Sequence, residues 1–400
     1  MFNNVKISVK MLAMVLVPLV GMMIFAAKDI SGKIANLQSL QTTRALTAFA
    51  VKSGSLIHEL QKERGLSVGF ISTKGEKFRE DLSKQRSDTD NQINELKKYR
   101  AGNKDNLEGV RERLGMVDIL LEKLSATRAG VDSLTLFPKD SMTYYTRTIS
   151  SYLDVVAQIT IMSMNPEITR DAMAYHAFLN IKEQTGLERA TLNTVFATNR
   201  FDDQTYEFYT GITASQKTFF DVFSKFANPY HLKTLQSKLD APYHQQVEEM
   251  RSTALSRRLS GDFGIRPENW FATISVMINV MKEMEGMLAA HMAEKADTLA
   301  DTARLGVALT AFTAALALVI SLQFGFIVMI GIRTPLESMA SMLKDMAVEE
   351  RDPSRRLNAN RSDEIGDVGR CFNRFLDAIH DHIPDAGESP RKGERHGEST

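Results

Sequence analysis

Two uncharged apolar runs constrain this 400-residue chain more than anything else in it. Met11 to Ala27 holds seventeen residues without a charge, just after Lys6 and Lys10. Leu305 to Ile332 holds twenty-eight, bracketed by Arg304 and Arg333. A helix of about 20 apolar residues crosses a bilayer core, so each run is long enough. A buried core helix is a poor alternative for the second at that length. For the first, the alternative is a cleaved signal peptide, but no clean A-x-A site follows and a helical pattern runs straight on. Lys6 and Lys10 keep the stub 1–10 cytoplasmic by the positive-inside rule. Spans at 11–27 and 305–332 then place residues 28–304 outside, in the periplasm of a Gram-negative cell, and return 333–400 to the cytoplasm. The expected product is a multi-pass protein of the inner membrane, with the lipid bilayer as a partner.

Between the spans the sequence predicts an all-α protein. Twenty methionines, ten thinly spread prolines and long runs of helix formers favour helices, and no alternating β-branched segment bounded by turns stands out. The 49 basic and 49 acidic residues balance, which points away from nucleic acid. The single cysteine, Cys371, excludes an internal disulfide framework and a thiolate metal cage. The histidines show no metal-ligand spacing, no cofactor motif is present, and no catalytic constellation is visible. Turn residues delimit helices over 30–72, 76–99, 106–130, 139–163, 166–198 and 202–226. A shorter helix between Pro229 and Pro242 is followed by another to about Leu255, and a last long one runs from Glu268 to Ala303. Short loops between helices of this length favour antiparallel packing, here two stacked four-helix bundles.

Within the first helix, Ile57, Leu60, Val68 and Ile71 fall within roughly 40° of Arg64 on the helical wheel. A guanidinium therefore sits on the stripe that faces the core, where it needs an anionic partner. Lys62-Glu63-Arg64-Gly65-Leu66 has a weak echo in Lys182-Glu183-Gln184-Thr185-Gly186-Leu187-Glu188-Arg189. Each copy carries a mid-helix glycine, which costs about 1 kcal/mol relative to alanine and implies a close approach. Arg189 shares its sector with Phe178, Thr185, Leu192 and Phe196 but also with Lys182 and Asn193, a mixed surface. Side-chain partners for both arginines stay open, among them Glu63, Glu188 or a carboxylate on another helix, and so does a diffusible anion.

The run ELQKERGLSVGFISTKG, then REDLSKQRSDTD and later IKEQTGLERATLN, closely resembles the nitrate- and nitrite-sensing (NIT) domain over most of residues 40–290. The resemblance implies that Arg64 and Arg189 match the family's anion-binding arginines, one from each half. A planar guanidinium fork suits a small planar oxyanion such as nitrate or nitrite, which lysine would meet only as a point charge. Ser67, one turn beyond Arg64, is a further candidate donor.

After the second span, Leu336, Met339, Leu343 and Met346 are spaced 3-4-3, and Ile365, Val368, Phe372, Phe375 and Ile379 are spaced 3-4-3-4. A polar connector, 348–362, joins these narrow seams. The pattern over 333–383 resembles a HAMP signal relay, a parallel four-helix bundle made by two chains, so a homodimer is expected. Pro335 matches the proline that opens its first helix, and Asp363-Glu364-Ile365-Gly366 matches the motif opening its second. Arg333-Thr334-Pro335-Leu336 also echoes a sensor-kinase phosphoacceptor box, but Ile330 stands where the histidine belongs. Residues 384–400 are a polar tail without apolar periodicity, expected to be disordered. With no output module in the sequence, the expectation is a chemoreceptor-like, non-enzymatic sensor signalling through a separate chemotaxis or kinase protein. The alternative is a truncated or regulatory subunit that pairs with full-length receptors.

Overall fold

The computed structural model of the chain describes residues 5–347, 356–357 and 359–382. All regular structure among the described residues is helical: α1 (Ile7–Ser72), α2 (Arg79–Gly102), α3 (Arg111–Glu122), α4 (Leu124–Asp132), α5 (Pro138–Met162), α6 (Pro166–Thr198), α7 (Asp203–Phe226), α8 (Pro229–Leu239), α9 (Pro242–Ser256), α10 (Pro267–Ala347) and α11 (Glu364–His382). Sequence punctuation explains most boundaries. Asn165 caps α6 by accepting from the backbone N–H groups of Glu167 and Ile168, with Pro166 in the first turn. Asn228 and Pro229 do the same for α8, and Asp202 caps α7. The end of α1 is a Schellman-type stop: Gly75, at φ 81°, donates its N–H to the carbonyl of Phe70 at 2.9 Å.

One expectation is revised. The helix predicted over 106–130 is a 3₁₀ turn, Asp105–Val110, followed by α3 and α4. These break at Lys123, whose N–H bonds the carbonyl three residues back, at Leu120. As expected, the helices run on through the apolar stretches: α1 passes through Pro18, and α10 continues through Pro335.

The chain forms two compact units, residues 32–307 and residues 1–31 with 308–400. In the larger unit, the second half of α1 packs with α2, α3–α4 and α5. Tyr99 donates to the carbonyl of Ala45, and Tyr144 to that of Leu120. A second bundle contains α6, α7, α8–α9 and the first part of α10; Phe178 and Phe223 stack at 5.3 Å between ring centroids. One contiguous apolar core runs through both, from Phe49 and Leu56 to Trp270 and Met284.

In the smaller unit the apolar stretches of α1 and α10 are long enough to cross a membrane. Their large side chains face outward: Phe25 is 76% exposed and Phe326 63%. A core helix would bury such residues. At α11, the Asp363 carboxylate accepts the N–H of Gly366, capping the helix, and Asn373 exchanges two hydrogen bonds with the backbone of Leu357. Gly366 admits the Arg361 carbonyl into space a Cβ would fill. Along the second seam, Ile365 and Phe372 are half-buried, Val368 and Phe375 exposed. Leu376, off the seam, is buried. Most of the expected connector and the tail 384–400 lie outside the described residues.

Candidate anion site

Arg64 is 4% exposed on α1, with Leu60 and Ile57 fully buried one and two turns before it. Its partner is a side chain. Glu183 of α6 takes both ends of the fork, with Nη1–Oε1 at 2.5 Å and Nη2–Oε2 at 3.1 Å. Nη1 also donates to Thr146 on α5 at 2.9 Å, and Gln61 donates to Glu183 Oε2 at 2.8 Å. The expectation drawn from the resemblance, that the partner of Arg64 is a diffusible anion rather than a side chain, is therefore overturned in favour of the alternative, a carboxylate on another helix. Glu183 arrives from the other half of the domain, a pairing that local periodicity does not report.

Arg189 differs. It donates to Ser275 Oγ at 3.0 Å and lies over the Phe271 ring at 4.6 Å, both on α10. Trp270 fixes its backbone by donating Nε1–H to the Arg189 carbonyl. Among the described residues, no carboxylate lies within ion-pair distance of Arg189. Burial, and then repulsion from Arg64, lower its pKa to about 10. A cation so placed lacks the charge that would neutralise it.

The two arginines converge. A methyl group at Gly186 would lie 3.3 Å from Arg64 Nη2, and one at Gly65 would lie 3.5 Å from Arg189 Nη2. Each guanidinium thus lies against the glycine of the opposite motif, tightly enough at Gly186 to give that glycine a physical reason. Ser67 is fully buried beside the Tyr145 hydroxyl. Tyr145 in turn donates to Glu63 at 2.8 Å.

The echoed glutamates turn away from their neighbouring arginines. Arg128 of α4 clamps the fully buried Glu63 with Nε and Nη2, at 2.7 and 2.9 Å, and reaches Asp90 with Nη1. Arg251 of α9 clamps the fully buried Glu188 with the same two nitrogens, at 2.6 and 2.5 Å. Gln216 adds a bond to Glu188. Sequence reasoning did not single out Arg128 or Arg251, yet they stand 65 and 63 residues after their glutamates. That near-equal offset was the available signal. Lys182, expected on a mixed surface, is fully buried and paired with Glu285, which also accepts from Lys282.

This is a double helical bundle with two facing arginines at the junction of its halves. The same architecture is found in the NasR transcription antiterminator, whose structure aligns with a TM-score of 0.63 over 88% of this chain and 95% of that one, at 20% identity. A family model for nitrate and nitrite sensing matches residues 55–293, and the chain belongs to that NIT family. The nitrate regulatory protein of Klebsiella oxytoca is 24% identical over 270 residues, covering 66% of each chain. The methyl-accepting chemotaxis protein McpA of Pseudomonas putida is 36% identical over 58 residues, 14% of this chain and 9% of that protein. The chain thus spans just under two thirds of the first relative's length and a small fraction of the second's.

Proposed function

We propose that the chain is a membrane receptor in which one nitrate or nitrite ion binds between Arg64 and Arg189. The observation that carries this reading is Arg189: a half-buried guanidinium with no carboxylate in ion-pair reach among the described residues, set against a second guanidinium. An oxyanion there accepts hydrogen bonds from a planar fork and removes the repulsion between the two cations. Because the arginines belong to different bundles, binding draws α6 and α1 together. It also engages α10, which holds Arg189 through Trp270, Phe271 and Ser275.

In this reading α1 and α10 cross the inner membrane and the NIT domain faces the periplasm. Continuity of α10 passes a small shift to the HAMP-like segment at Pro335 and Asp363–Gly366. The exposed Val368 and Phe375 support a second copy as partner there. The ligand biases the relay only by its differential affinity for the two states.

The single tryptophan, Trp270, is a built-in reporter, fully buried and bonded to Arg189. With the full chain in lipid nanodiscs, nitrate and nitrite are expected to change its emission saturably. Emission that stays constant across the titration refutes the coupling of ligand to α10.

A further inference from the structure

A closed anion site must match the charge of its ion as well as its shape, because a net charge left in the interior is unfavourable. Arg64 and Arg189 alone would supply two positive charges, a match for a dianion. Glu183 changes the sum. It is 4% exposed and held bidentately on Arg64, so it brings one negative charge into the site. The remaining nearby charges are accounted for elsewhere. Glu63 is matched by Arg128, which also reaches Asp90; Arg86, 3.9 Å from Glu63, is paired with Asp132; and Glu188 is matched by Arg251. Glu285 lies between Lys182 and Lys282, and Lys282 extends toward solvent. Among the described residues, the site proper is left with one uncompensated cation, carried by Arg189.

We infer that Glu183 is a specificity-determining residue that sets the site to a net charge of plus one, so that it takes monoanionic oxyanions and rejects dianions. This inference rests on the anion-site reading above. Nitrate or nitrite then brings the interior to neutrality, whereas sulfate would leave an excess negative charge beside the Glu183 carboxylate. Gln61, which donates to Glu183 at 2.8 Å, holds that carboxylate in place and provides a position from which the charge can be restored.

The test separates charge from shape with perchlorate and sulfate, two tetrahedral ions that differ in charge, alongside nitrate. Binding is measured by calorimetry on the full chain in nanodiscs. Wild type is expected to bind nitrate and to favour perchlorate over sulfate. Glu183→Gln keeps the side-chain length and is expected to shift the sulfate-to-perchlorate affinity ratio toward sulfate on the order of 100-fold. The double variant Gln61→Glu with Glu183→Gln returns the negative charge and should restore the monoanion preference, which also controls for a variant that folds poorly. An unchanged ratio in a Glu183→Gln protein that still binds nitrate overturns the charge-setting role while leaving the anion site standing. Failure of wild type to bind nitrate, perchlorate or sulfate overturns both.

Discussion

At the residue scale, Arg64 and Arg189 have opposite relations to stability, although the sequence presents them as echoes. Removing Arg64 leaves Glu183 buried with only Gln61, a loss of about 3–5 kcal/mol. Removing Arg189 relieves a repulsion and orphans no carboxylate. Arg189→Met is therefore expected to raise the melting temperature of the ligand-free protein, with a gain of about 1 kcal/mol, while Arg64→Met lowers it. Thermal unfolding of the two variants in parallel checks the signs; two equal losses would contradict the charge arrangement. Arg189→Lys keeps the charge but loses the fork, and calorimetry is expected to show nitrate binding weakened about tenfold. The burial of Arg64 was legible, since Ile57 and Leu60 on its stripe are core residues. Glu183 was not. Its pairing spans 119 residues and joins two bundles, so no local pattern could assign it.

At the scale of elements, two arginine clamps hold α1 and α6 in register with their own bundles. Arg251→Ala leaves the fully buried Glu188 without its cation, and Arg128→Ala leaves Glu63 only the longer ion pair to Arg86 at 3.9 Å; each is expected to lower stability in chemical unfolding, Arg251→Ala by about 3–5 kcal/mol and Arg128→Ala by less. The glycines diverge. A methyl at Gly186 meets Arg64 Nη2, which Glu183 holds, whereas at Gly65 it makes ordinary contact with an arginine that has no carboxylate. Gly65→Ala is thus expected to be neutral or to gain part of the roughly 1 kcal/mol that alanine offers in a helix, and Gly186→Ala to be the more harmful. Reversal of that order in unfolding measurements would sink this account of the glycines. Helix boundaries marked by Pro166, Asp202 and Pro229 were readable because caps are local. The break at Lys123 was not, since no proline or glycine marks it.

At the scale of the molecule, the half-buried His58 ties stability to pH. Burial, followed by repulsion from Lys182, Lys282, Lys62 and Arg189, lowers its pKa from 6.5 to about 2. Above pH 6.5 the ring is neutral in both folded and unfolded chains, and its burial carries no protonation penalty. As pH falls below 6.5, only the unfolded chain takes up the proton. Stability then drops by about 1.4 kcal/mol per pH unit from this group, down to about pH 2. His58→Gln should flatten the acid limb of the stability curve; parallel curves for wild type and variant would contradict it. The two apolar runs made a membrane-spanning class legible from sequence. The convergence of the arginines depended on how two bundles meet, which only the folded chain displays.

The central claim is that a small oxyanion lies between Arg64 and Arg189. Calorimetric titration of the full chain in nanodiscs with nitrate and nitrite tests it most directly, comparing wild type with the stable Arg189→Met variant. The account predicts saturable binding of one ion per chain in wild type and no binding in the folded variant. Equal affinity in both proteins would contradict it.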